Sequence, residues 1–274
     1  MTLLALVRRD LLRLLWRPRS LLLLAYLAAA AWASVSVPNV EEGNGVRPIG
    51  VALTDAIPHA FRDNWSLVAT HALPLVVLAT ALIVEDRADG GTWMTVHRAG
   101  GKRHWWTAKL VAAVTLAAVL VALSALLVLA AALARGWDPT LAVSEYARAG
   151  TDIGYDRIGD TSPLVGTVIV VALRIAVLSA LALFAVALAV IVRRSAIAYA
   201  LPIILLVAYW RLTTRALPVS FTTHADLLAQ AFWDHHGPGY EVSWWWTPPV
   251  LALWTLAALA LGRALVSRAE VTES

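Results

Sequence analysis

"EDRADGGTWMTVHRAGGKRHWW" occupies residues 85–106. It is charged and glycine-rich and ends in a tryptophan pair, yet apolar runs at about 65–84 and 105–134 flank it. Each run reaches or exceeds the ~20 residues that a bilayer crossing needs. The segment therefore reads as a connection at a membrane surface. Composition agrees: 60% of the 274 residues are hydrophobic, 15% are charged, and mean hydropathy is +0.71. Water-soluble domains are about 45–50% apolar and about 25% charged. There is no cysteine, which excludes disulfides, thiolate metal sites and a cysteine nucleophile. Alanine, leucine, valine and arginine dominate while Lys102 and Lys109 are the only lysines, a usage that suits a GC-rich bacterial gene.

Outward from this segment the chain reads as an all-α, polytopic membrane protein, a single transmembrane domain over 1–274. Six spans are expected at about 20–37, 65–84, 105–134, 163–192, 196–212 and 248–266. The third and fourth exceed one hydrocarbon core and must tilt, kink or project. Pro202 predicts a broken or tilted fifth span. Basic residues set orientation. With a cytoplasmic N-terminus, the inner segments hold Arg8, Arg9, Arg13, Arg17, Arg19, Arg87, Arg98, Lys102, Arg103, Lys109, Arg193, Arg194, Arg263 and Arg268. The outer segments hold Arg47, Arg62, Arg135, Arg148, Arg157, Arg211 and Arg215, half as many. Both termini are therefore expected in the cytoplasm, and the basic excess reads as membrane topology rather than nucleic-acid binding. A cleavable leader ending at "AWA" (residues 31–33) is the weaker reading, because the charged region before it is long and ordered.

"TLLALVRRDLLRLLWRPRS" (residues 2–20) is amphipathic. At 100° per residue Arg9, Asp10, Arg13 and Arg17 share one face; Leu3, Leu4, Val7, Leu11, Leu14 and Leu15 share the other. This predicts an interfacial helix over 2–17, its arginines at lipid phosphates and its leucines in the acyl boundary, with Pro18 turning the chain into the first span.

In the quoted segment, Gly90–Gly91 permits a sharp turn, Thr92 can cap a short helix, and Gly100–Gly101 ends it. Trp105 and Trp106 are expected to anchor the third span at the headgroups. The expectation is a two-turn helix across the membrane mouth, with Trp93 and Met94 as an apolar docking pair; an ordinary interfacial loop is the alternative.

The acidic close of the second span, "EDRADGGTW", followed by "KRHWWTAK" opening the third, resembles the permease subunits of ABC-2 type transporters. Residue-level matching rests on Glu85, Gly91, Thr92 and Lys109; Trp93 and "RAGGK" depart from the family's usual leucine and proline turn. The resemblance implies a surface elbow helix, six spans, and a long external segment (213–247) before the last. It makes 85–104 a coupling segment that docks a separate ATPase, Glu85, Gly91, Thr92, Trp93 and Met94 carrying the contact. It also implies two ATPase copies, a second permease copy or homologous permease, and a path lined by the second and fifth spans. That path makes Tyr199, Tyr209 and Trp210 candidate contacts, although packing explains each as well. The location expected is a bacterial inner or plasma membrane.

Enzyme signatures fail. No G-x-x-x-x-G-K-[ST] phosphate cradle, H-E-x-x-H zinc site or G-x-S-x-G elbow occurs, and "DGGTWM" (residues 89–94) carries Trp93 and Met94 where a phosphotransferase motif needs Ala and Arg. His224, Asp226, Asp234, His235 and His236 lack a metal-ligand spacing, so no metal and no cofactor is expected. Arg174 is the one charge well inside a span, with no acid in any span to pair with. It reads as snorkelled, helix-packed or part of a translocation path. His71 has the same readings. The function expected is export driven by a partner ATPase. The alternatives are a membrane anchor that docks a partner without transport, or a polytopic membrane enzyme.

Overall fold

The chain begins with a capped helix. Thr2 Oγ1 accepts from the Ala5 amide at 3.3 Å and starts α1 (Leu3–Leu15). Pro18, whose missing amide costs nothing in a first helical turn, starts α2 (Pro18–Ser34), and the two helices meet at 73°. The structure, a computed structural model, describes residues 2–35, 39–42, 45–48, 50–61, 66–88, 96–97, 99–140, 163–192, 194–213 and 247–268. The strands β1 (Asn39–Glu42) and β2 (Gly45–Pro48) pair antiparallel, Asn39 opposite Pro48. A 3-10 turn (Leu53–Asp55) leads into the short α3 (Ala56–Ala60). A π-helical turn (Leu67–Ala72) runs into α4 (Leu73–Ala88). The wider turn lies just before Pro74, whose ring would clash with the carbonyl four residues back in a regular α-helix. Then come α5 (Lys102–Ala134), α6 (Pro163–Ile191), α7 (Ser195–Thr213) and α8 (Thr247–Arg268).

Among the described residues four helices are long and apolar enough to cross a membrane: Leu67–Ala88, Lys102–Ala134, Leu164–Ile191 and Thr247–Ala264; α2 and α7, at the expected spans 20–37 and 196–212, are not among them on their own. The sequence-based spans fall within a few residues of helices in every case. Pro202 does not break its helix; α7 runs through it unbroken. At about 1.5 Å per residue α5 is about 50 Å long and outreaches a ~30 Å hydrocarbon core.

The core lies between α4, α5 and α6. Helix α6 packs on α4, α5, α7 and α8, while α1 and α2 lie along α5. Leu75, Val76, Ile83, Leu116, Val177 and Val186 fill the interior. The faces turned away from it remain apolar: Leu21 and Leu22 of α2 are 71% and 74% exposed, and Leu126, Leu253 and Leu256 are exposed on α5 and α8. Such surface suits hydrocarbon rather than water.

One end of the bundle is capped. Leu53 donates to the Asp138 carbonyl at 2.8 Å and Asp138 donates to the Val51 carbonyl at 3.1 Å, which joins the 3-10 turn to the chain leaving α5. Thr167 Oγ1 of α6 donates to the Thr54 carbonyl at 3.2 Å. The Arg135 guanidinium stacks 4.5 Å from the Trp32 ring centre and ties α5 to α2. The opposite end carries charge.

Candidate functional site

At the charged end, α1, α4 and α5 bring four cations and three carboxylates together: Arg9, Arg13, Arg17 and Lys109 against Asp10, Glu85 and Asp86. Helical spacing explains the assembly. Asp10, Arg13 and Arg17 recur on one side of α1 and its continuation; Trp105 and Lys109, four apart, share a face of α5.

Asp86 is the hub. Its Oδ2 receives Lys109 Nζ at 2.6 Å and Trp105 Nε1 at 3.0 Å. Its Oδ1 receives Arg13 at 3.1 Å and lies 3.7 Å from Arg9. Lys109 Nζ also donates to Asp10 Oδ2 at 2.7 Å, and Arg9 holds the other oxygen of Asp10 at 2.8 Å. Glu85 Oε2 lies 3.3 Å from Arg13 and 3.4 Å from Arg17, and the Glu85 carbonyl accepts from Arg13 at 2.7 Å. Asp86 and Lys109 are each 1% exposed and Asp10 is 3% exposed. Bare charges at that depth are untenable, but here Asp10 and Asp86 each accept from two cations, and Glu85 lies within ion-pair distance of two arginines.

The next residue points elsewhere. Arg87 donates to the Val190 carbonyl at 2.8 Å and to the Val192 carbonyl, at the C-terminal end of α6. Helix α6 has no basic residue in its own last turn, so Arg87 supplies that cation from α4.

Two expectations are corrected. The polar face of α1 does not turn to lipid phosphates: Asp10 is buried with Leu6, Val7 and Leu14, while Leu4, Leu12 and Leu15 are exposed with Trp16. Trp105 and Trp106 are not headgroup anchors; both are buried. Trp105 donates to Asp86, and the Trp106 ring sits against Gly262 of α8, where a side chain would collide with it. Glu85, which from sequence could hold an arginine nearby such as Arg87 or Arg103, pairs with Arg13 and Arg17, on and just after α1.

Of the proposed contact residues, Glu85 is at the heart of this junction, while Gly91, Thr92, Trp93 and Met94 lie outside the described residues. The end of the expected short helix is described. Val96 and His97 are helical; Gly101 donates to the Val96 carbonyl and Gly100 to the His97 carbonyl, both at 3.0 Å. This paired closure ends a helix, and Gly100 takes the positive φ (82°) that it needs.

The candidate path residues do not converge with the junction. Arg174 of α6 is fully buried near the capped end, where it donates to the Phe61 carbonyl and to Ser66 Oγ at 3.0 Å and lies over the Phe61 ring. It is packed, not snorkelled. His71 meets the same Phe61 ring edge-on at 4.9 Å. Tyr199 of α7 is half-buried against the core. Tyr209 and Trp210 fall in α7, but their side chains lie outside the described residues, as do residues 214–246, which include the cluster from His224 to His236. Among the described residues no group of three or more His, Asp or Glu could hold a metal.

Asp10, Asp86, Trp105 and Lys109 were not singled out as partners from sequence. The signals were present: one acid in an arginine-rich helix, two adjacent acids closing an apolar run, and a lysine two turns into an apolar helix. The arrangement ties α1, α4 and α5 together through ion pairs at one end of the bundle. No protein-family model matches the chain, and neither a curated protein nor a solved structure does.

Proposed function

We propose that the chain is the permease subunit of an ATP-driven exporter of the ABC-2 type, in a bacterial cell membrane, working with two copies of a separate ATPase and a second permease. The observation that carries this reading is the buried ionic junction. It fixes a surface helix, the end of one apolar helix and the start of the next into one unit, immediately beside the segment from 89 to 99. A force applied to that segment by a docked partner would reach three helices together. In this reading α2, α4, α5, α6, α7 and α8 are the six spans, and both termini and the segment 85–104 face the cytoplasm.

The test joins orientation to docking. In intact cells, cysteine introduced at His97 resists a membrane-impermeant thiol reagent and cysteine at Asp138 reacts; the reverse pattern overturns the reading. Trp93→Ala weakens co-purification of the ATPase by about tenfold or more, as loss of an aromatic anchor does. Glu85→Ala leaves association intact and lowers the substrate moved per ATP hydrolysed, because it removes the carboxylate that Arg13 and Arg17 share. Wild-type association and transport from the double variant would make the segment a passive linker.

A further inference from the structure

We infer that Arg87 is a positioning residue: it latches the end of α6 to the end of α4 and so holds the start of α7 packed against α4 at the charged end. The inference deepens the proposed function and rests on it for its meaning in transport, but its geometry stands without it. Glu85, Asp86 and Arg87 are consecutive at the end of α4. The first two engage α1, α5 and their flanks, whereas Arg87 reaches across to the Val190 and Val192 carbonyls. Val192 lies just past the end of α6, and α7 begins at Ser195. Only three residues join the helices, so a hold on Val190 and Val192 also fixes where α7 starts. Helix α7 in turn packs along α4, and Ala198 in its first turn is fully buried.

The chemistry suits a latch rather than a permanent weld. The acceptors are main-chain carbonyls at a helix C-terminus, where the macrodipole favours a cation. There are two hydrogen bonds from one half-buried guanidinium, and charge-assisted bonds of this kind are strong enough to hold and weak enough to break. The junction on the other side of α4 has a denser set of contacts. A displacement of the end of α4 reaches the α6–α7 turn through Arg87.

The chain has no cysteine, so the test needs a single introduced thiol in the full-length protein. Ala198→Cys reports the packing of the start of α7, and Ala132→Cys, buried near the far end of α5, reports general loosening. With Arg87 present, both thiols are protected from a small membrane-permeant maleimide. In Arg87→Gln, Ala198→Cys labels about tenfold faster, the factor expected when a charge-assisted bond is lost, while Ala132→Cys stays protected. Arg87→Lys, which keeps the cation at the helix end, restores part of the protection. Unchanged labelling of Ala198→Cys in Arg87→Gln overturns the latch, and so does equal exposure of both positions. Paired with an ATPase, Arg87→Gln keeps subunit association and raises ATP hydrolysis relative to substrate moved. If no ATPase associates even with the wild-type chain, the permease reading fails while the labelling still decides the latch.

Discussion

Lys109 is a buried cation shared by two carboxylates. Its ammonium sits between Asp10 and Asp86 at 2.7 and 2.6 Å, and its charge also lies 5.9 Å from the Trp105 ring centre. Lys109→Met keeps the length of the side chain but leaves two carboxylates facing a gap without their shared cation. Removing one partner of a buried ion pair typically costs about 3–5 kcal/mol. The variant unfolds at lower temperature in detergent. Adding Asp10→Asn recovers part of the loss, because one of the two uncompensated charges is removed. A double-mutant cycle in thermal unfolding reads the coupling; strict additivity of the two changes would mean that Lys109 and Asp10 do not interact.

Among elements, the contact between α5 and α8 depends on a missing side chain. The Trp106 ring occupies the space that a Cβ on Gly262 would take. Gly262→Ala forces one helix off the other and destabilises the protein by about 1–3 kcal/mol, the usual cost of overpacking. Gly262→Ala combined with Trp106→Ala regains stability relative to Gly262→Ala alone, measured by thermal unfolding. Additive losses would show that the two residues do not share that space. The same pair explains what the sequence could tell. Helix positions were legible to within a few residues because bilayer thickness sets the length of each apolar run. The role of Trp106 was not: tryptophan at the start of an apolar run reads as a headgroup anchor, and only the placement of α8, about 150 residues later, turns it inward. Asp10 is similar. Its face on α1 was legible from a 100° periodicity, but what that face meets lies on α4 and α5. Of the candidate site only Glu85 was chosen in advance, and for different partners. Ion pairs between helices distant in sequence leave no periodic trace.

For the whole molecule, the two ends of the bundle are built on different principles. The capped end closes through main-chain pairing between residues 51–53 and 138 and through Arg174 on the Phe61 carbonyl. The charged end closes through side-chain charge. The order of synthesis follows from this asymmetry. Asp10 and Lys109 are 99 residues apart. At about 5–20 residues per second, α1 leaves the ribosome roughly 5–20 s before its cation exists. During that interval Asp10 has Arg9 beside it but not Lys109, so the buried junction cannot yet be complete. The buried junction is thus an assembly checkpoint, passed only when α5 has arrived. Ribosome-bound chains carrying Leu14→Cys, which is buried in the finished protein, label readily when translation is arrested before Lys109 has emerged and are protected once α5 is complete. Equal protection at both lengths would mean that α1 docks without its counter-charge, and that the first hundred residues commit to their final arrangement before the rest of the chain exists.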